Sequence, residues 1–557
     1  MSVKILLVTE KCSSDETQRD GGARLVDSMK RAFGDSLSIM QFGPETDSSA
    51  TWRFDYPFDL TSRFERRLAN AHFVAEQVKA VEQSFTHVIF VHVSMQFGLV
   101  NLPLREEIHI WTFPMFLTPS YRASGEVIPE SYLEMERLTL VSSKNILTPS
   151  HLERRQLIEF YSIPEERIHV VPRGVDTRFL VPEVRFLDEP PKFCSVGSIK
   201  PQKNILGLIR LFANIRDRFP GATLRIIGPV QNSQYYKDVL TEIRRLGLYE
   251  IVELTGHLAP NKLSLATKDA HLHISTSTCE TFGRSIFETL ASGLPNIARA
   301  TGNAAAEFLE RLPYARFVDD DNEALDVIEE MLANLSKLSS MALEIGRLYD
   351  DEMLSRLLVA KICHKDVIAI SDFDGTLFHK DDPEKTQRCL KAFQRFPMRV
   401  ICTARPIHDL LDKLGSYNLE VDWIVGCSGS IVTDGEGKLL WRIPLDLDDV
   451  ARLEALIPQT RRIEVEGETL QIAAPVELLP NIFGLRVEVY QGIAFISHWE
   501  ASKFHAVHRL LHHINWSGRV RVFGDGPYDA ELLTYFDGIL ITCFPHDNRQ
   551  EKEIENV

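Results

Sequence analysis

Short runs of consecutive apolar residues alternate with longer amphipathic stretches along nearly the whole chain. Runs that are apolar on both faces suit parallel strands, and the stretches between them suit crossover helices. The pattern therefore predicts α/β architecture with parallel sheets. The predicted strands are Lys4–Thr9, His87–Val93, Ile146–Thr148, Ile168–Val171, Phe193–Val196, Leu224–Ile227, His271–Ser275 and Asn296–Ala298. Ile205–Phe219 and Gln234–Leu246 read as helices, and a helical region covers roughly 323–358. The opening run Met1–Val8 is too short for a signal peptide and reads as a first buried strand. No run approaches the ~18 apolar residues of a membrane span.

Two places interrupt the alternation. Residues 181–191 are proline-rich and acidic and read as an interdomain linker. After the helical region, residues 361–366 lead directly into a fresh strand, Val367–Ser371, so the last unit is expected to pack against what precedes it. The expected division is 1–185, 186–361 and 362–557.

Composition narrows the class. The 557 residues are 44% hydrophobic, 25% charged and 9% aromatic, the profile of an ordinary globular protein with several cores. A formal charge of −16 argues against a nucleic-acid partner, because neutralising phosphates takes a basic surface. Cysteines at 12, 194, 279, 363, 389, 402, 427 and 543 are scattered with no C-x-x-C, which reads as buried thiols in a reducing, cytoplasmic setting.

The clearest chemistry lies at Asp372-Phe373-Asp374-Gly375-Thr376-Leu377, after the apolar run 367–370. Strand alternation points two carboxylates two residues apart the same way at the carboxyl end of a strand, where open α/β sheets bind ligands. Gly375 permits a tight turn that aims amides at an anion. Clustered carboxylates repel one another unless a cation joins them, which implies Mg²⁺. A solvated aspartate-rich loop is the bland alternative. Further along come Ile401-Cys402-Thr403-Ala404-Arg405, Lys503, and Val522-Phe523-Gly524-Asp525-Gly526-Pro527-Tyr528-Asp529. Together these resemble the four ordered motifs of the haloacid dehalogenase superfamily of phosphatases, over about 366–548. The insertion between Thr403 and Lys503, with Gly426-Cys427-Ser428-Gly429-Ser430-Ile431, resembles the large α/β cap of the branch that hydrolyses sugar phosphates, about 407–500, with Ser428 where an Asn is usual. The resemblance implies Asp372 as nucleophile, Asp374 as acid and base, Thr403 and Lys503 holding the phosphoryl group, and Mg²⁺ among Asp372, Asp374, Asp525 and Asp529.

A second signal runs from Cys279 to Pro295, after the strand His271–Ser275. Gly283 should open a helix whose free amides and positive dipole end face a pyrophosphate. Glu288 falls on a largely apolar face of that helix, where a carboxylate needs hydrogen bonds, and Glu280 falls in the preceding loop. A capping glutamate and a partly exposed helical one would also account for the pair. The Glu280–Glu288 spacing, together with His169-Val170-Val171-Pro172-Arg173-Gly174-Val175-Asp176, Ser195–Asn204 and Gly21-Gly22, resembles retaining glycosyltransferases of family four, with the GT-B fold, over about 1–360. The resemblance implies an NDP-sugar co-substrate and no metal in this part. It assigns phosphates or acceptor to Gly21, Gly22 and Lys203, the pyrophosphate end to Gly283 and Arg284, the donor sugar to Glu280 and the ribose to Glu288. Ser198 stands where many members have Arg, and Arg173, Lys200 or Arg284 would supply the second charge. His92 at a strand end could face the cleft or be structural. His109 and the aromatic stretch 111–121 could shape an acceptor pocket or a core.

The fold class that follows is α/β: two Rossmann-like GT-B domains, acceptor then donor, followed by a haloacid-dehalogenase-type Rossmannoid domain with an α/β cap. The order resembles sucrose-phosphate synthases and implies consecutive steps, transfer to a phosphorylated sugar or cyclitol and then removal of the phosphate. Two alternatives stand beside it. One is a lipid or cell-envelope saccharide acceptor, with Arg63, Arg66 and Arg67 meeting anionic lipid. The other is a last unit that only senses sugar phosphate. Donor base and sugar, acceptor, oligomeric state and channelling are not fixed by the sequence.

Overall fold

The structure, a computed structural model, describes residues 3–10, 21–43, 50–115, 117–123, 125–187, 190–363, 367–480, 482, 484–490, 492–516 and 518–541. Cys12, Cys543 and the tail of the phosphatase-like stretch lie outside the described residues. The chain divides into two compact units, Met1–Val359 and Ala360–Val557.

In the first unit every residue of β1 (Ile5–Thr9) and of β4 (His87–Val91) is buried, as central strands covered on both faces require. They anchor a wholly parallel sheet completed by β2 (Leu37–Phe42), β3 (Trp52–Phe54), β5 (His109–Phe113), β6 (Asn145–Thr148) and β7 (Ile168–Val170), in the order β3-β2-β1-β4-β5-β6-β7. A second parallel sheet has β8 (Lys192–Val196), β9 (Thr223–Ile227), β10 (Val252–Gly256), β11 (Leu272–Ser275), β12 (Asn296–Ala298) and β13 (Ala315–Phe317), in the order β10-β9-β8-β11-β12-β13. This is the expected pair of Rossmann-like domains. Sequence order reverses between β1 and β4 and between β8 and β11, and such switch points open crevices at the carboxyl ends of strands.

Strands β2, β3, β5, β10 and β13 were not among the predicted runs. Polar residues break their apolar pattern, Ser38 and Gln41 in β2 and Glu253 in β10. The aromatic stretch from Trp111 is strand and core, with Trp111, Phe113, Leu117 and Tyr121 buried, and its Phe113, Met115 and Ser120 also line a cavity. The 181–191 connection is anchored at Arg185. Arg185 is buried, its backbone N–H donates to Ser339 Oγ (2.7 Å) and its guanidinium donates to the Lys268 and Ser292 carbonyls.

In the second unit β14 (Val367–Asp372) is an interior strand of a seven-stranded sheet with β15 (Met398–Cys402), β16 (Trp423–Gly426), β17 (Ile431–Asp434), β18 (Leu439–Arg442), β23 (Arg519–Gly524) and β24 (Ile539–Leu540). Its order is β18-β17-β16-β15-β14-β23-β24, with β17 antiparallel to both its neighbours, β16 and β18. A separate antiparallel sheet, β19-β20-β22-β21, contains β19 (Arg461–Val465), β20 (Glu468–Pro475), β21 (Leu485–Tyr490) and β22 (Ile493–His498). One face of it packs on the helix Leu447–Leu456 through Ile472, Ile496, Val450 and Leu453. This is the α/β cap. It is smaller than the 407–500 span expected, because the helix Ile407–Tyr417 packs on the main sheet and β16–β18 extend that sheet.

Candidate active sites

In the second unit the switch point falls between β14 and β23, and an aspartate stands at the carboxyl end of β14 and another directly after β23. Asp372 closes β14, and Asp525 and Asp529 follow β23. One carboxylate oxygen from each of the three lies within 4.8 Å of the others. Lys503, first residue of the helix Lys503–His513, donates to Asp372 Oδ1 at 2.5 Å and to Asp529 Oδ1 at 2.7 Å. All but Asp525 are buried. Burial pushes the Asp372 carboxyl up to about 7, with Lys503 opposing and Asp529 adding to the rise. Burial works against the Lys503 charge, yet the two aspartates raise its pKa well above that of a free lysine. Three clustered carboxylates against one ammonium leave negative charge that a hard, oxygen-seeking divalent ion fits, so the donor set suits Mg²⁺.

The turn after Asp372 depends on Gly375, which has φ +84°, and an added Cβ would lie 1.8 Å from Asp525 Oδ2. Thr403 is buried at the end of β15; its hydroxyl oxygen accepts from the Arg405 N–H (3.1 Å), leaving the O–H free to donate. Ser428 donates its N–H to the Thr403 carbonyl (3.0 Å), and Gly429 packs on the Ser502–Lys503 peptide so closely that a Cβ would meet it at 2.2 Å.

Asp374 departs from the expected metal set. Both of its oxygens are held by Arg405, Nε to Oδ2 at 2.6 Å and Nη2 to Oδ1 at 2.5 Å, and Asp409 braces the arginine from behind (2.5 Å). A bidentate guanidinium satisfies the carboxylate, so its side chain is not part of the cluster. Sequence reasoning quoted Arg405 only as the end of a strand motif. Its spacing of four from Asp409 was the signal for the brace.

In the first unit a cavity of about 420 Å³ lies among the loops after β8 and β11. Gly197, Ser198, Lys200 and Lys203 enter from one loop, and Glu280, Gly283, Arg284 and Glu288 from the other. Gly283 has φ +84° and precedes the helix Arg284–Ala291, whose Ile286, Phe287 and Leu290 are buried while Glu288 is half-buried. Lys203 Nζ pairs with Glu280 Oε1. Glu288 is not left to a ribose alone: Arg24 Nη1 donates to its Oε1 at 2.5 Å. Arg24 was missed, although it lies only two positions after the glycine pair. Gly21 and Gly22 open the helix Gly21–Phe33, and among the described residues of that turn Arg24, not Gly22, lines the cavity.

Three further cations line this cavity. Arg173 Nη1 is buried with no hydrogen-bond partner, and burial, with Arg284 adding, pushes that guanidinium down to about 10. Arg284 and Lys200 form no ion pair among the described residues, and burial lowers both. Five cations stand against Glu153, Glu280 and Glu288. Burial moves Glu153 up to about 7, so the surplus of positive charge is larger still. Such an excess of positive charge suits a diphosphate. Arg173, Lys200 and Arg284, the three candidates for the charge usual at Ser198, all line the cavity.

His92 does not line the cavity. It is buried with φ 92°, Nδ1 is 2.9 Å from Ser94 Oγ and Nε2 is 3.3 Å from Tyr121 Oη. His109 stacks on His87 at 4.8 Å. The arginines considered for lipid are engaged: Arg63 with Glu126, Arg66 with Asp59 (3.7 Å) and buried Arg67 with Glu10 (2.6 Å). Burial works against the Glu10 charge, yet Arg67 holds that carboxyl down at about 2. Among the described residues no helix is long and apolar enough to cross a membrane.

Comparison with known proteins follows these divisions. Residues 43–179 match Glycosyltransferase Family 4, residues 176–341 match Glycosyl transferases group 1, and residues 369–473 match the haloacid dehalogenase-like hydrolases. Alpha-monoglucosyldiacylglycerol synthase of Streptococcus pneumoniae is 24% identical over 359 residues, 60% of this chain and 78% of that protein. D-inositol 3-phosphate glycosyltransferase of Nocardia farcinica is 30% identical over 179 residues, 30% of this chain and 40% of that protein. Sucrose-phosphate synthase from Thermosynechococcus elongatus shares the fold, with a TM-score of 0.52 at 17% identity over 63% of this chain and 96% of that one.

Proposed function

From a chain that joins glycosyltransferase domains of family 4 and group 1 to a haloacid dehalogenase-like hydrolase domain, we infer a two-step enzyme. The first unit transfers a sugar, with retention, from an NDP-sugar to a phosphorylated sugar or cyclitol, and the second removes the phosphate. In the transfer the bond from the anomeric carbon to diphosphate breaks and one to an acceptor hydroxyl forms. Lys203, Arg173, Arg284 and the amides opening the helix Arg284–Ala291 neutralise the departing diphosphate. Glu280 meets the donor sugar, and Glu288, with Arg24, faces the nucleoside.

In the second step an Asp372 oxygen attacks phosphorus and the ester P–O bond breaks. The leaving alkoxide takes a proton that Asp374 carries, and a water then splits the aspartyl-phosphate as Asp374 takes the proton back. Lys503 and Thr403 hold phosphoryl oxygens. Asp372, Asp525 and Asp529 would hold Mg²⁺, which when bound supplies charge neutralisation at the phosphoryl group. Arg405 positions Asp374 through its bidentate grip.

One observation carries the reading: a cation-rich, diphosphate-sized cavity and a lysine-bridged carboxylate cluster occur in one chain. The D-inositol 3-phosphate relative supports a phosphorylated acceptor. The longer match to the diacylglycerol-type synthase favours a second reading, a lipid acceptor. The test incubates the full chain with a panel of NDP-sugars and either sugar phosphates, inositol phosphates or diacylglycerol vesicles, with Mg²⁺ or EDTA, and follows products by mass. The expected result is a phosphorylated glycoside with EDTA and the free glycoside with Mg²⁺. Phosphorylated product persisting with Mg²⁺, or glycolipid as the sole product, refutes it. In Asp372→Asn the phosphorylated product should persist under both conditions.

A further inference from the structure

Ser150-His151-Leu152-Glu153 has the spacing of a capping box, in which the serine hydroxyl accepts from the glutamate N–H and the glutamate side chain reaches back to the serine N–H. Only the first half forms among the described residues. Ser150 Oγ accepts from the Glu153 N–H (3.2 Å) at the start of the helix His151–Tyr161. Glu153 Oε2 instead accepts from the Thr148 hydroxyl (2.6 Å) at the end of β6. The carboxylate is thereby held at the wall of the cavity of about 420 Å³ rather than at its own helix end. Glu153 is only 3% exposed, and its Oε1 makes no hydrogen bond among the described residues. A buried carboxylate oxygen without a partner is costly, so capping alone does not account for it.

Three carboxylates line the cavity, and two of them are neutralised: Glu280 pairs with Lys203 and Glu288 with Arg24. Glu153 forms no ion pair among the described residues, although Arg173 lines the same cavity and acts on it through space. No histidine or aspartate is among the residues that line the cavity. Burial lifts the Glu153 carboxyl to about 7, with Thr148 and Arg173 opposing and Glu136, from the helix Glu130–Ser142, adding to the rise. The Cys279 thiol faces it from the loop after β11 and, pushed up by its own burial, stays uncharged. Retention of configuration brings the incoming hydroxyl to the face from which diphosphate departs. Whatever receives the hydroxyl proton must therefore stand beside the diphosphate's cations, and Glu153 shares its cavity with Arg173, Arg284 and Lys203.

We propose that Glu153 is the base of the sugar transfer, its Oε1 taking the proton of the acceptor hydroxyl. As that O–H bond breaks, the oxygen bonds to the anomeric carbon, and the bond from this carbon to diphosphate breaks with its electron pair leaving on the diphosphate. The protonated carboxyl returns its proton to water once the product has gone. This rests on the retaining-transfer reading and supplies the proton acceptor which that reading leaves unassigned.

The test uses the full chain in EDTA, with UDP-glucose and GDP-mannose as donors and glucose 6-phosphate and myo-inositol 1-phosphate as acceptors, and follows product by mass as a function of pH. With a productive pair, kcat of the parent should rise through about pH 7 and level off above it. In Glu153→Gln, once melting curves establish folding, kcat should fall about 10²–10⁴-fold and the rise should vanish, with KM for the donor within about twofold of the parent. Sodium formate, a carboxylate small enough for the space vacated in Glu153→Ala, should raise that variant's rate at least about tenfold, which a structural loss would not show. An unchanged kcat in Glu153→Gln, a loss that keeps the pH rise, or no response to formate overturns the base. If Glu153→Gln does not fold, Glu153→Asp decides: a lower kcat with the rise retained supports the base, and loss of the rise overturns it. A parent that transfers sugar from neither donor removes the retaining-transfer reading and the base with it, whereas an active parent beside an equally active variant removes the base alone.

Discussion

Replacing Lys503 by Met removes the one ammonium that bridges Asp372 and Asp529 (2.5 and 2.7 Å) while keeping the length of the side chain. Three carboxylates then remain within 4.8 Å of one another, two of them buried. Breaking a buried pair in this way costs about 3–5 kcal/mol. Asp372, already pushed up to about 7, can escape part of that by protonation, which favours the lower end, about 3 kcal/mol. For a unit of this size each kcal/mol moves Tm by about 2–4 °C, so the loss is about 6–12 °C. A bound divalent ion supplies the missing positive charge. With saturating Mg²⁺ the same substitution should therefore lower Tm by less than half as much, while phosphate-ester hydrolysis still falls about 10²–10³-fold because the phosphoryl contact is gone. Scanning calorimetry of parent and variant in EDTA and in Mg²⁺ reads both numbers. An equal drop in the two buffers, or none in EDTA, would falsify the charge-balance argument.

Gly375→Ala forces a residue with a Cβ into φ +84° and drives that Cβ against Asp525, so the Mg²⁺ concentration for half-maximal phosphatase activity should rise at least tenfold. An unchanged metal titration would sink the claim. Arg24→Ala strips Glu288 of its partner and should lower kcat/KM for the donor about tenfold, with hydrolysis of a preformed phosphate ester unaffected. Glu153 is buried and its pKa is raised from 4.5 to about 7. A raised folded pKa contributes stability that is present below the unfolded value and lost as pH rises through the folded one. Unfolding free energy should therefore drop by about 3 kcal/mol between pH 4.5 and 7, and Glu153→Gln should flatten that slope in denaturant titrations.

What the sequence revealed depended on how local the physics was. Strands carrying an apolar run, such as Ile5–Thr9 with four apolar residues in succession, were legible because burial on both faces writes itself into consecutive residues. Strand Val252–Gly256 was not, since Glu253 is exposed there and pairs with Arg225 on the neighbouring strand. Asp372 and the Asp525–Asp529 pair could be placed at one end of a sheet from alternation and motif order. The capture of Asp374 by Arg405, 31 residues away, could not, and neither could the 264-residue reach from Arg24 to Glu288. Glu153 escaped notice because the Ser150–Glu153 spacing reads as a helix cap, and only the fold sets that carboxylate in one cavity with Arg173.

The Tyr528 hydroxyl accepts from the Val489 N–H (2.5 Å) and donates to the Val489 carbonyl, and β21 is the outermost strand of its sheet. A side chain thus occupies the place of a missing neighbouring strand, plugging a margin that would otherwise template a second molecule. A cap opening that broke this contact would bare that margin, with half-exposed Val489 and Ile493 beside it. Self-association should therefore track turnover, so that the resting protein keeps well while a working preparation clouds.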